Sequence, residues 1–351
     1  MKERVTLIVV PREQFSLTKQ SLESIYQHTN FPFKLIYVDI NSPPEIEHYL
    51  ETESVEKSFE LIRSECFLCP NHARNIALQH VCTEYIAFID NDVLVKAGWL
   101  EALVNCADET GAWIVGPLCL EGTDFNKVHM AGGSFVFKQR GDQKWVAMKR
   151  PWFRMPLAKV RTEFKRQACD IVELHCCLVR KAVFEQLGQL DEQIMSVGTE
   201  EDLCLTVLKA NKSVYFEPAA IITYVPPVEL SISDIPFFFT RWSNAWFDVS
   251  VKRLQEKWSL TKDSPLLKGY QVFLKGQKYL ICPRPKRRID YPIYLLKKAS
   301  IKLVEKLFDI KVLLTMLLNE AKSKDRQHLV NNRSLPNQIV SKDDPSQGFS
   351  K

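Results

Sequence analysis

The sequence predicts an α/β protein: a mostly parallel sheet flanked by helices, with a C-terminal helical extension. Three observations predict it. Short apolar runs alternate with amphipathic segments from Val5 to Leu118, at the spacing of strands joined through helices. Three of those runs end in polar clusters, Pro11-Arg12-Glu13, Asp39-Ile40-Asn41 and Asp90-Asn91-Asp92. Ligands of parallel sheets bind beyond such carboxyl ends. After Pro236 the chain becomes aromatic, then basic, with helical periodicity.

The elements follow in order. Val5–Val10 is a β-branched strand, and Leu22, Ile25 and Tyr26 share one face of a helix ending near His28. Lys34–Asp39 is the second strand, Glu45–Glu53 the next helix, and Phe59–Arg63 the third strand. A helix over Pro70–His80 precedes the strand that begins at Tyr85. Leu100, Leu103, Val104 and Ala107 mark one face of a helix over Trp99–Asp108, and Trp113–Leu118 is a further strand. Glu121–Arg166 reads as an irregular or antiparallel region. Ile171–Val179 reads as a strand, Lys181–Leu187 as a short helix stopped by Gly188, Asp202–Ala210 as a helix and Ser213–Phe216 as a strand. Pro226–Pro236 reads as a linker and Phe237–Trp258 as one aromatic helix. The domain plan is 1–228 for the α/β domain, 229–265 for an aromatic-rich helical segment packed on it, 266–321 for a basic amphipathic extension and 322–351 for a disordered tail.

Composition narrows the class. In 351 residues, 46% are hydrophobic and 25% charged, which suits a globular protein with a sizeable core. A net charge of +5 is too small to imply a nucleic-acid partner. The ten cysteines include one Cys-x-x-Cys, Cys66 and Cys69, with no second pair to complete a zinc site. That usage fits a reducing cytosol. No apolar stretch approaches the ~20 residues of a membrane span. The stripe Leu296, Leu303, Val304, Leu307 and Leu314, flanked by Lys297, Lys298, Lys302, Lys306 and Lys311, offers a peripheral contact with an anionic membrane face. The expected location is therefore cytoplasmic, at or near the inner face of the membrane.

A strand ending in Asp-x-Asp presents hard oxygen ligands suited to Mg²⁺ or Mn²⁺ carrying a diphosphate. Two acids at a strand end can equally just stop the strand and cap the next helix. The three converging strand ends favour the ligand reading. Ala73-Arg74-Asn75, Asp90-Asn91-Asp92 and Gly98-Trp99-Leu100 occur in one run, followed by Leu178–Phe184, Gly188–Glu192 and Glu200-Glu201-Asp202-Leu203. In order and spacing these motifs resemble family 2 glycosyltransferases of the GT-A fold. The resemblance covers about residues 4–225.

The resemblance implies a GT-A-type, Rossmann-like sheet and an inverting glycosyltransferase of the hexosyl or deoxyhexosyl type. A sugar would pass from a nucleotide-diphosphate donor, UDP- or dTDP-linked, to a hydroxyl acceptor on a glycan, a lipid-linked saccharide or a protein. It implies Asp92, with Asp90, as ligands of Mn²⁺ or Mg²⁺. Arg74 would pair with phosphate. Pro11, Arg12, Glu13, Asp39, Asn41, Asp90 and Asn91 would contact the nucleotide sugar. Glu200 would be the general base, with Glu201 and Asp202 as alternates. Three departures stand out. Thr199 replaces a Glu of the acidic motif, Pro11-Arg12-Glu13 replaces a Pro-x-aromatic-Asn turn, and no metal-ligating His follows Pro218. His129 and His175 are the substitutes the sequence offers, and Arg241, Trp242 and Trp246 could line an acceptor site. A catalytically degenerate scaffold partner of another glycosyltransferase is the competing reading. Metal-dependent donor hydrolysis, abolished in Asp92→Ala, separates the two. A nucleotidyltransferase would need a Gly-rich basic loop after the first strand, which Val10-Pro11-Arg12-Glu13 is not, and a glycoside hydrolase would need no diphosphate site.

Overall fold

The computed structural model describes residues 3–227, 230–280, 287 and 291–333. The element order is β1 (Val5–Val10), α1 (Thr18–His28), β2 (Phe33–Ile40), α2 (Pro44–Glu56), β3 (Glu60–Ser64), α3 (Pro70–Leu78), β4 (Tyr85–Asp90), β5 (Val93–Val95), α4 (Trp99–Thr110) and β6 (Ile114–Glu121). Then come β7 (Lys127–Met130), β8 (Ser134–Arg140), β9 (Gln143–Lys149), α5 (Leu157–Val160), β10 (Gln167–Cys169), β11 (Cys176–Arg180), α6 (Ala182–Leu187), α7 (Thr199–Lys209) and β12 (Val214–Tyr224). Four helices follow: α8 (Ile235–Arg241), α9 (Asn244–Trp258), α10 (Pro265–Leu280) and α11 (Tyr291–Arg333). One compact unit comprises Met1–Asp309 and a second Ile310–Lys351.

The main sheet runs β10-β12-β6-β11-β4-β1-β2-β3. The pairs β1–β2, β1–β4, β2–β3 and β6–β12 are parallel, whereas β11 is antiparallel to both its neighbours. Every residue of β1 and β4 is buried, so both faces of the central strands are covered. This is why they read as unbroken apolar runs rather than alternating ones. Val9 is in register with Tyr37 and with Ile89. The polar clusters that follow β1, β2 and β4 therefore leave the sheet along one edge.

Four expectations need correction. The strand expected from Ile171 begins only at Cys176. Ile171 is drawn instead to Gly133, whose N–H donates to its carbonyl at 2.9 Å, so 171–175 run as a loop along the sheet edge. The strand expected to stop at Phe216 continues to Tyr224 through a register shift between Glu217 and Ile221. That irregularity accommodates Pro218, which cannot donate to a regular ladder.

The single aromatic helix expected over Phe237–Trp258 is two helices, α8 and α9. Ser243 is extended (φ −64°, ψ 147°) and its hydroxyl accepts from the Trp246 N–H, a helix N-cap that restarts the chain in a new direction. Finally, α7 begins at Thr199, not Asp202: Gly198 adopts φ +92°, and its carbonyl accepts from the Asp202 N–H at 3.0 Å. Glu200 and Glu201 thus sit inside the first helical turn.

The irregular or antiparallel region expected before Arg166 contains the β8–β9 hairpin, turning at Gly141 with φ +58°. Helix α11 continues to Arg333, where a disordered tail was expected from 322. The rest of that stretch, 334–351, lies outside the described residues. No helix among the described residues is long and apolar enough to cross a membrane.

Candidate active site

A cavity of about 270 Å³ opens beside the ends of β1 and β4. Its wall brings together Arg12 after β1, Arg74 on α3, Asp90 at the end of β4, His129 on β7, Glu173 and His175 from the loop before β11, Glu200 and Glu201 on α7, and Tyr224 at the end of β12. Arg241 and Trp242 at the α8–α9 break and Tyr270 on α10 close it.

Asp90 is the hub. Arg74 Nη2 donates to its Oδ1 at 2.6 Å, while Arg12 Nε and His175 Nδ1 lie 3.5 and 3.1 Å from its Oδ2. Burial pushes its carboxyl up, against the pull of Arg74 and Arg12. Asp92 lies behind it, off the cavity wall. Both Asp92 carboxylate oxygens are buried with no hydrogen-bond partner. Burial raises its pKa far above the usual range, with Arg12 pulling down and Asp90 pushing up. A buried carboxylate without partners is costly unless something cationic meets it. Asp90, Asp92 and His175 present ligand atoms within 4.8 Å of one another, so the residues fit a divalent cation.

Cations crowd the same wall. The Arg12 guanidinium stands 4.8 Å over the Tyr224 ring and 5.7 Å from the Trp242 ring centre. Arg241 donates to the Arg12 carbonyl at 3.1 Å, and burial followed by Arg12 lowers its pKa to about 10. Glu13 is buried, pairing with Arg12 and accepting from the Tyr224 hydroxyl and, at 2.9 Å, from Trp242 Nε1. It organises Arg12 and the two rings rather than facing the cavity.

The acidic motif divides. Glu200 lines the cavity, and burial, then Glu173, push its carboxyl up to about 7. Glu201 also reaches the wall. Burial, then Glu200, raise it further, and its Oε2 has no partner. Asp202 points away: Lys257 Nζ and Trp258 Nε1 each donate to it at 2.8 Å, tying α7 to α9.

Several expected donor-binding residues are engaged within the protein. Asp39 accepts from the Ser42 N–H and hydroxyl and pairs with Arg63. Asn91 donates to the Gln14 carbonyl at 2.7 Å and accepts from the Arg12 N–H, shaping the β1–α1 turn. Asn41 holds φ +66°, a left-handed conformation asparagine tolerates. Pro11, Asp39, Asn41 and Asn91 surround the strand ends without joining the cavity wall. Trp246 is buried and likewise off the wall.

Two histidines offered by the sequence do meet here: His175 stacks on Tyr224 with ring centres 4.1 Å apart, and His129 lies 5.3 Å from His175. Glu173 and Tyr270 carried no signal as site residues. Their segments show no motif, and only the loop course before β11 and the docking of α10 bring them in.

Comparison with known proteins identifies the family and the fold. The Glycosyl transferase family 2 model matches residues 7–188, just over half the chain. The chain belongs to glycosyl transferase family 2. The chain is 28% identical over 212 residues to the O-antigen biosynthesis protein RfbC of Myxococcus xanthus, which covers 58% of the chain and 16% of that relative. It is 23% identical over 156 residues to the pre-mycofactocin glycosyltransferase of Mycobacterium tuberculosis, covering 44% of the chain and 30% of that protein. The chain thus spans less than a third of the length of these curated relatives. Among solved structures it resembles GalNAc-T7, crystallised with UDP, GalNAc and Mn²⁺, with a TM-score of 0.52 and 16% identity, over 80% of this chain and 56% of that one. At that identity the likeness establishes the fold, that of a GT-A glycosyltransferase.

Proposed function

We propose that this glycosyltransferase moves a sugar from a nucleotide-diphosphate donor to an acceptor hydroxyl by metal-assisted, inverting displacement. The observation that carries the reading is the division of one cavity wall. Arg12, Arg74 and Arg241 stand on the side of Asp90, and a carboxylate poised near neutrality, Glu200, lines the same wall.

The donor's diphosphate gathers negative charge as the glycosidic bond breaks. Arg12 and Arg74 are suited to that charge, because a guanidinium pairs with phosphate oxygens in a fixed fork. A divalent cation, Mn²⁺ or Mg²⁺, held by Asp92 with Asp90 would add Lewis-acid stabilisation of the leaving diphosphate. Asp90 keeps Arg74 and His175 oriented. Glu200 takes the acceptor proton as the hydroxyl attacks the anomeric carbon. A base near pH 7 is strong enough to accept it and still ionised enough to be available. Attack from the face opposite the diphosphate inverts the anomeric centre. Trp242 and Tyr270 offer apolar ring surface on which an acceptor sugar can rest. Pro11, Glu13, Asp39, Asn41 and Asn91 act from behind, by holding the strand ends where base and ribose would lie.

The donor reading favours UDP or dTDP, by likeness to the UDP-bound neighbour. The acceptor is a saccharide, free, lipid-linked or protein-bound. The exposed leucines of α11, Leu295, Leu296, Leu303 and Leu307, with Lys302 and Lys306 beside them, support peripheral contact with an anionic membrane face. The test of the donor is a thermal-shift panel of nucleotides and nucleotide sugars with and without Mn²⁺. Stabilisation by a uridine or thymidine diphosphate that grows with Mn²⁺ and is lost in Asp92→Asn is the expected result. No shift with any nucleotide would overturn the reading.

A further inference from the structure

The cavity wall holds a second ligand cluster with a geometry of its own. We propose that His129, Glu173 and His175, the last through its Nε2, form a binding site for a divalent transition cation of the zinc class that adjoins the Asp90–Asp92 carboxylate cluster and shares His175 with it, with Asp90 fixing the His175 imidazole from behind and Glu121 behind His129.

Spacing is the first support. His175 Nε2 lies 3.5 Å from Glu173 Oε1, and His129 Nε2 lies 3.8 Å from Glu173 Oε2. Ligand atoms about 2.1 Å from a tetrahedral zinc lie about 3.4 Å from one another. The three side chains are thus nearly at the separation that one shared ion imposes, and all their ligand atoms fall within 4.8 Å of one another.

The far side of each ring is the second support. His175 Nδ1 is 3.1 Å from Asp90 Oδ2, and His129 Nδ1 is 3.5 Å from Glu121 Oε2. Asp90 is within hydrogen-bond reach of His175 Nδ1, holds the proton there and turns the Nε2 lone pair forward, as around protein-bound zinc, while Glu121 stands behind His129 at ion-pair distance without a hydrogen bond to its Nδ1. Both Nε2 atoms lie within 3.8 Å of the Glu173 carboxylate.

The third support is an orphan. His175 is 2% exposed, and its Nε2 has no hydrogen-bond partner. A neutral Nε2 and a carboxylate are both acceptors and cannot satisfy each other, whereas a cation between them satisfies both. Tyr224, stacked on His175, keeps the ring from swinging away. Since all three residues line the cavity, the open coordination position faces it and would take water or an oxygen of a bound molecule. Two imidazoles and one carboxylate with an open position select zinc-like ions over Mg²⁺.

The test uses the full chain, stripped with a chelator and titrated with Co²⁺ alone. The expected result is one equivalent bound with the visible absorption of a low-coordinate nitrogen–oxygen site, displaced by one equivalent of Zn²⁺. Asp92→Asn should keep that spectrum. His129→Ala and Glu173→Gln should abolish it, and Glu121→Gln should weaken binding by about tenfold or more. Glu173→Gln is nearly isosteric, so it carries the test if His129→Ala does not fold. A wild-type chain without the spectrum, or a spectrum lost in Asp92→Asn and kept in Glu173→Gln, overturns the proposal. The readout involves no nucleotide, so its failure and the failure of the donor reading are independent.

Discussion

Glu200 illustrates how one buried carboxyl couples stability to activity. Its pKa rises from the ordinary 4.5 to about 7, chiefly through burial and then through Glu173. As the general base we propose, it would work only when ionised, so kcat/KM should fall about tenfold per unit as pH drops below about 7. Stability runs the other way. The folded chain holds this proton more tightly than the unfolded chain, so the group's contribution is greatest below 4.5 and is lost as pH rises to about 7. Glu200→Gln cannot ionise. Its kcat should drop by about 10² to 10⁴-fold with KM little changed. Thermal melts should find it more stable than the parent at pH 8, with the difference closing toward pH 5. A variant that keeps the acid limb of the pH profile would move the base to Glu201.

The acidic motif depends on how its helix starts. Gly198 holds φ +92°, and a Cβ there would stand 2.2 Å from Leu254 Cδ1 on α9. Gly198→Ala therefore meets both a left-handed backbone and a packed side chain. The backbone alone costs about 1–2 kcal/mol. We expect denaturant melts to show at least that loss, together with reduced kcat as the first turn of α7 shifts. Asp202, one turn on, anchors α7 to α9 through Lys257 and Trp258. Asp202→Asn should lower stability by about 1–3 kcal/mol, since hydrogen bonds to charged groups are of that size. Its kcat/KM, measured below the melting transition, should stay within a few-fold of the parent. A loss as deep as that of Glu200→Gln would return Asp202 to the candidates for the base.

Between Tyr291 and Asp309, helix α11 carries apolar side chains on two faces. Tyr294 is buried, and Val304 and Phe308 pack on the core, while Leu295, Leu296, Leu303 and Leu307 remain 50–70% exposed. An exposed apolar stripe with lysines beside it is the pattern of a helix lying in a lipid interface. Vesicle flotation should recover the protein with phosphatidylglycerol-containing vesicles and not with purely zwitterionic ones. Each engaged lysine contributes about 1 kcal/mol, weakening as salt rises. Leu303→Ser with Leu307→Ser should abolish flotation while leaving the melting temperature unchanged, because neither side chain is packed. Equal flotation of that double variant would remove the lipid reading.

The sequence by itself determined the alternation of strands and helices, the buried central strands β1, β2 and β4, and the strand end that carries Asp90 and Asp92. These are written in local periodicity, which a stretch of chain expresses without knowing its neighbours. The family followed from motifs of the same local kind. Only the tertiary structure decided which polar residues face the cavity. Asp39, Asn91 and Asp202 looked exposed to ligand in the sequence, yet each is satisfied by partners inside the protein. His129, Glu173, Arg241 and Tyr270 come from β7, a loop, a helix break and α10, far apart in the chain. No spacing rule connects them. Their meeting depends on where the β12 bulge, the Gly133–Ile171 contact and the Ser243 cap steer the backbone. The histidine missing after Pro218 is the clearest case. Tyr224 ends that strand and stacks on the His175 imidazole, which arrives from the loop before β11, a contact visible only once the two segments lie in one fold.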